Sequence, residues 1–396
     1  MSKSLRAGKW VNPGSLNGID PKLQIRFFQH YRNELEPLGV FVGAGIDDAV
    51  VRRIMCGEVA GLSAELVDRI GVIDEMSTGG NHQLLLDEAK RLGLDVGPSP
   101  STADLVVHLL LDGTESLERI YAERLPIARR LFRSHFALTA DPPLISGVAD
   151  HVLKGYEDGL ETDFVGRRRG SGVRVFHFPT PTGFRQMIRR ADLAHRDVSV
   201  DPVTGGRQHI IFHPERFDVL IYEQGQGEMQ VNAKHDADVR AYLEHVGHHL
   251  FGQSQLFLAE GLPAKYTLKP ILEKGEACLR CDDVPELDGV WLRGLDWSHS
   301  KGVDLVERPR SKSDLFRAMT DSGRGIPRGV KLMSATFNVL FRTGREGQLR
   351  IVLPNNAVYS RESDSEVILR WLGLRGFLQD RRKATDGLTR ALVAAS

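Results

Sequence analysis

Cysteine is scarce: the 396 residues hold only Cys56, Cys278 and Cys281. An odd and sparse set excludes a disulfide framework and predicts a reducing compartment, the cytoplasm. Long apolar runs are missing too. No stretch approaches the roughly 18 apolar residues a membrane-spanning helix needs, and the N-terminus, MSKSLRAGKWVNPGSLNG, has no apolar core of a signal peptide. Neither a leader nor a membrane contact is expected. Charge of one sign is not in excess, with 52 basic against 52 acidic residues, so no overall field steers the chain toward nucleic acid or anionic lipid. Any such contact must be local. The motifs that announce a reaction are absent as well: no phosphate loop, nucleophile elbow, dinucleotide fingerprint or complete metal-ligand set appears, so no cofactor is expected.

What is present is an ordinary globular composition, 41% hydrophobic and 26% charged, in a chain long enough for two or three cores. The periodicity predicts an α+β, multidomain protein. Residues 1–155 read as a helical N-terminal domain. Leu62, Leu66 and Ile70 stand on one stripe, Asn81 is placed to cap a helix that Gly93 ends, DLVVHLLL is a second apolar helix, and Pro126 should break the helix that begins near Glu115. The Gly- and charge-rich segment GYEDGLETDFVGRRRGSG, Gly155 to Gly172, reads as a linker. Residues 156–260 form a central hairpin domain, residues 261–380 a second α+β domain, and residues 381–396 a flexible tail.

In the central hairpin FDVLIYE-QGQG-EMQVNA, pairing Gln224 with Glu228 places Val219, Ile221, Met229 and Val231 on one face. Asp218, Tyr222, Gln230, Asn232 and Lys234 fall on the other. The helix after it carries Val239, Tyr242, Leu243, Val246 and Leu250 on one stripe and closes at Gly252. Farther on, KLMSATFNVLFR alternates with Met333, Ala335, Phe337, Val339 and Phe341 inward, Gln348 to Leu353 returns antiparallel, and a closing helix is capped near Ser363 or Asp364.

Three clusters carry potential chemistry. Asp218, Glu228 and Lys234, near Glu215, are the residue types of a PD-(D/E)xK-like nuclease, whose carboxylates hold Mg or Mn and whose lysine activates water. Asn232 stands where that motif wants a carboxylate. His245 and His249 are four apart on a helix beside His248 and His235, and Cys278 and Cys281 form half of a zinc pair; neither set is complete, and no metal site is assigned. Arg167, Arg168, Arg169, Arg185, Arg189 and Arg190, followed by Arg196, form a candidate nucleic-acid surface. Arg324, Arg328, Lys331, Arg342, Arg345 and Arg350 recur toward the C-terminus. Cys56 and Trp371 read as buried apolar residues.

From Ile211 onward, FHPERFDVLIYE, the NAK at Asn232 to Lys234, GHHLFG, KYTLKPI, LPNNAVYSR and WLGLRGF resemble a recurring set of bacterial proteins with no established activity. The resemblance implies association with anti-phage defence or mobile-element gene clusters, and hence a protein partner encoded nearby. It carries no catalytic residue over. The function expected is therefore a non-catalytic accessory subunit contacting nucleic acid or a partner enzyme. The rivals are the atypical nuclease and a sensor with a small ligand enclosed by the central sheet.

Overall fold

In the computed structural model the described residues are 18–42, 61–77, 79–128, 131–138, 147–200, 205–257, 264–299, 305–360 and 364–379, with residues 49, 53, 54, 59 and 145. The chain is α+β. Its longer elements run α1 (Pro21–His30), α2 (Ala64–Met76), α3 (His82–Arg91), α4 (Thr102–Asp112), α5 (Thr114–Ala128), β1 (Leu131–Phe136) and α6 (Asp150–Gly166). There follow β2 (Arg174–Thr180), β3 (Gly183–Ala191), β4 (His195–Val200), β5 (Arg207–Phe212), β6 (Glu215–Glu223), β7 (Glu228–Asn232) and α7 (Asp236–Phe251). The last part holds α8 (Lys269–Lys274), β8 (Leu287–His299), β9 (Val306–Glu307), α9 (Leu315–Asp321), β10 (Val330–Phe341), β11 (Glu346–Val352), β12 (Asn356–Val358) and α10 (Ser365–Arg375). Two compact units form, one of residues 1–124, 164–172 and 189–217, the other of residues 125–163, 173–188 and 218–396.

In the first unit, local chemistry sets the helix starts. Asp20 accepts from the Lys22 and Leu23 amides, with Pro21 pre-set at the first helical position. Ser101 and Asp104 form a capping box on α4. Leu66 and Ile70 are buried, as the stripe predicts, with Phe27, Phe28, Leu85 and Leu109 in one core. Asn81 sits at the start of α3 but does not cap it; its side-chain NH2 donates to the Met76 carbonyl at 2.7 Å instead. Pro126 does not break α5, which runs to Ala128. A proline within the last turn removes only one backbone bond near an end that was about to fray. Among the described residues, strands β4 and β5 pair with each other as a two-stranded ribbon.

The second unit is built on a ten-stranded sheet ordered β2-β3-β6-β7-β1-β12-β11-β10-β8-β9. Strand β1 corrects the reading of residues to 155 as wholly helical: LFRSHF lies between β7 and β12. A six-residue segment with apolar residues only at Leu131, Phe132 and Phe136 is ambiguous by periodicity, and pairing with strands far along the chain decided it. The segment Gly155 to Gly172, read as a linker, is helical through Gly166, as the end of Asp150–Gly166, while the division between the two units falls within it, after Asp163 and after Gly172. A Cβ on Gly159 would sit 2.7 Å from His245 Nδ1, and one on Gly155 3.5 Å from His249 Nδ1, so these glycines admit α7's histidines at close range. They are packing residues.

Register carries one sheet face from Phe337 through Leu349, Ile351, Ala357 and Phe132 to Ile221 and Glu228. Trp371 of α10 and Phe377 pack on Phe337 at ring distances of 5.6 and 5.5 Å. Helix α7 lies on the opposite face, where Tyr222 meets Phe251 at 5.1 Å and Tyr242 reaches Asp218. The stripe Val239, Tyr242, Leu243 and Val246 is buried there, and Gly252 closes the helix at φ +68°. In β10 a register shift between Leu332 and Ser334 makes Leu332 the buried residue and leaves Met333 41% exposed, against its expected inward place. Ser363, Cys56 and the tail 381–396 lie outside the described residues.

Candidate functional site

The β6–β7 hairpin pairs one residue away from the expected register: Glu223 lies opposite Glu228 and Tyr222 opposite Met229. The loop takes up Gln224–Gln226 as a 3-10 turn, with Gly227 left-handed at φ +52°. A one-residue slip re-sorts the faces. Asp218 now shares the α7 face with Tyr222, Met229 and Val231, and accepts from the Tyr242 hydroxyl at 2.7 Å. Glu228 points to the other face and accepts from Lys265 Nζ, whose backbone amide donates to Asn355 Oδ1 at 2.6 Å. Burial pulls the Lys265 ammonium down, but the adjacent Glu228 overrides it and holds the pKa above the ordinary lysine value. Lys234 is exposed in the turn before α7, and Asn232 donates to the Leu131 carbonyl at 2.6 Å. The structure thus does not bring Asp218, Glu228 and Lys234 together. Metal-dependent hydrolysis needs its carboxylates converging on one ion, and a sheet lies between these two.

The histidines make a helix-to-helix contact. His245 and His249 stack at 5.8 Å, His248 meets His249 edge-on at 4.7 Å, and His245 Nε2 stands 3.5 Å from Asp163 Oδ2. Burial, then His248 and His245, lower the pKa of His249. Cys278 is buried and its thiol is pushed up to about 12, burial being the main cause; Cys281 is raised for the same reason. Such thiols are poor nucleophiles and reluctant ligands. Among the described residues no group of three or more His, Cys, Asp or Glu is arranged to hold a metal, and no helix is long and apolar enough to cross a membrane.

The six arginines of the candidate nucleic-acid surface differ in exposure and in partners. Arg167 to Arg169 form the turn that ends α6, with Arg168 left-handed at φ +60°. Arg169 and Arg190 are 7% and 1% exposed and lie over the Phe164 ring at 5.8 and 5.1 Å. Arg189 bonds Glu118 at 2.5 Å, Arg185 is half-buried, and Arg168 alone of the six is exposed. Arg216 bonds Asp192 at 2.7 Å. Although burial opposes ionisation, this arginine, the Leu193 amide and Arg190 bring the Asp192 carboxyl down to about 2. Arg169, Arg189, Arg190 and Arg216 are thus engaged within their own unit.

A different surface emerges at the far end of the large sheet. On β8, β10 and β11, the face opposite Phe337 carries Trp291, Asn338 and Gln348 in one cross-strand row, Gly294, Thr336 and Arg350 in the next, and Asp296, Ser334 and Val352 in a third. Asp296 is the buried anion at its centre. It accepts from Ser334 Oγ at 2.5 Å and from Arg310 Nη2 at 2.5 Å, and Arg350 Nη2 stands at 3.5 Å. Burial would raise its pKa, yet these donors hold it below the ordinary carboxylate value. Arg310 crosses the strand over Gly294, where a Cβ would lie 2.6 Å from its Cδ. Trp291 is 39% exposed, and its indole lies over Gly289, whose Cβ would come within 2.7 Å of Cη2. Arg310 and Arg350 retain 46% and 48% side-chain exposure, and Lys331 is exposed on the same face. Two arginines thus share one buried carboxylate, and Lys331 lies farther along the same face, opposite Ser298.

Arg350 and Lys331 were visible as members of a recurring basic set; Trp291, Arg310 and Asp296 were not singled out. The available signal was the pair of glycines in LDGVWLRGLDW, since glycine inside a strand marks close approach by another group. A hollow of 480 Å³ lined by Leu138, Gln253, Ser254, Gln255 and Leu256 is widely open and carries no ionisable side chain. Compared with known protein families, curated proteins and solved structures, the chain matches none.

Proposed function

We propose that this chain is a non-catalytic interaction subunit that contacts nucleic acid through the open face of β8, β10 and β11. The observation that carries the reading is the pair of half-exposed guanidinium groups, Arg310 and Arg350, held at the buried carboxylate of Asp296, with Lys331 exposed farther along the same face and Glu346 the exposed anion at its other end. Guanidinium groups held by a carboxylate on a rigid sheet are pre-oriented donors for phosphate oxygens. Ser334, Thr336, Asn338 and Gln348 add hydrogen-bonding groups beside them. The separation of Asp218 from Glu228 supports binding over hydrolysis. A partner enzyme supplied in trans would then perform any chemistry on the bound strand.

The test is binding of fluorescent oligonucleotides at 50 and 200 mM salt, with Arg350→Ala and Lys331→Ala beside the unaltered protein. Each lost phosphate contact should lower the slope of log affinity against log salt by about 1. Affinity indifferent to salt and to both substitutions would sink the proposal, as would Mg²⁺- or Mn²⁺-dependent cleavage abolished by Asp218→Ala.

A further inference from the structure

We propose that the ligand of this face is single-stranded nucleic acid, with one unpaired base stacked on Trp291; the inference rests on the binding reading above and goes beyond it. Large aromatics on a sheet face exposed to water are normally covered. Trp291 instead keeps 39% of its surface exposed while its ring is steadied against the backbone at Gly289. That arrangement presents a rigid π face toward solvent and spends little side-chain entropy on binding. Its row neighbours across the strands are Asn338 and Gln348, amides that can donate to and accept from base edges. One row along, Arg350 and the strand-crossing Arg310 stand where a backbone following the strands would place its phosphates, with rows about 7 Å apart.

The same geometry disfavours duplex as the preferred ligand. Base faces in a duplex are stacked on one another, and only phosphates and groove edges are offered. A broad sheet face bearing a single flat ring has no projection that enters a groove. Stacking on an aromatic platform flanked by cations, in contrast, is the general chemistry of single-strand recognition and needs no particular sequence. A polyanion of another class, such as an acidic polypeptide, would satisfy the arginines but would gain nothing from the ring.

The experiment measures the affinity of the full chain for oligo(dT) and oligo(rU) of 12 nucleotides, for a 12-base-pair DNA duplex, and for poly-glutamate of matched charge. It compares Trp291→Ala, Trp291→Phe and Gly289→Val, with the thermal midpoint of each variant recorded. Single strands should bind at least tenfold more tightly than the duplex. Trp291→Ala should weaken single-strand binding roughly 5- to 100-fold, the effect of one stacked base at about 1.4 kcal/mol per tenfold. Phenylalanine should restore most of that loss, Gly289→Val should mimic the loss by displacing the ring, and the salt slope should stay unchanged in all three. Equal affinity for duplex and single strand, with Trp291→Ala neutral, would overturn the stacking inference and leave the cationic face standing. Poly-glutamate binding as tightly as oligo(dT) would also overturn it. If no nucleic acid binds at all, the underlying reading falls as well.

Discussion

The β6–β7 and β10–β11 hairpins have the same alternating sequence pattern and belong to one sheet, yet their polar residues have different fates. In β6–β7 both faces are covered, so Asp218 and Glu228 are 5% and 1% exposed and are engaged by protein donors, Tyr242 on one side and Lys265 on the other. In β10–β11 one face carries Phe337, Leu349 and Ile351 inward, while Gln348 and Arg350 on the other meet solvent. A buried polar group must be satisfied within the protein, which consumes its chemistry in holding the fold. A polar group on a half-covered sheet keeps donors for something else. Residue type alone therefore does not tell which hairpin keeps its polar groups exposed.

The largest effect should come from removing the amine of the buried pair. Lys265→Met leaves Glu228 ionised without its cation and should cost about 3–5 kcal/mol in urea unfolding. The double variant Lys265→Met, Glu228→Gln should recover much of that loss; if it does not, the pair is not the source of the cost. Next, Gly294→Val drives a side chain into Arg310 and should destabilise by about 1–3 kcal/mol, while weakening nucleic-acid binding at constant Trp291. An unchanged Arg310–Asp296 contact in a crystal structure of that variant would contradict the argument. Tyr242→Phe, which removes the hydroxyl that donates to Asp218, should cost about 1–3 kcal/mol and leave binding untouched.

The two ion sites should also fail at opposite ends of the pH scale. Lys265 has a raised pKa, so its contribution is full below the ordinary lysine value of 10.5 and is lost only as pH rises through the higher folded value. Asp296 has a lowered pKa, so its contribution is present above the ordinary value of 3.8 and disappears as pH falls through the folded value beneath it. Thermal midpoints from pH 2 to 5 should accordingly fall less steeply for Asp296→Asn than for the parent. The smallest effect on stability should come from Lys331→Ala, which should leave the midpoint unchanged and alter only the salt slope of binding. A loss of stability there would mean the open face is structural after all.

Local rules determined a good part of this molecule from sequence alone. The Leu66–Ile70 stripe, the helix closed by Gly252, the Glu346–Val352 return strand and the α+β class were legible because periodicity and capping act within a few residues. Distance in sequence is what hid the rest. That LFRSHF is a central strand depends on β7 and β12, and that Gly155 and Gly159 belong to a helix depends on His249 and His245, about ninety residues away. The one-residue register of the β6–β7 turn put Asp218 and Glu228 on opposite sides of the sheet, a choice made by the loop at Gly227. Which polar side chains were left exposed was decided only by which faces the helices covered, because burial is a property of packed elements and no single segment encodes its own neighbours.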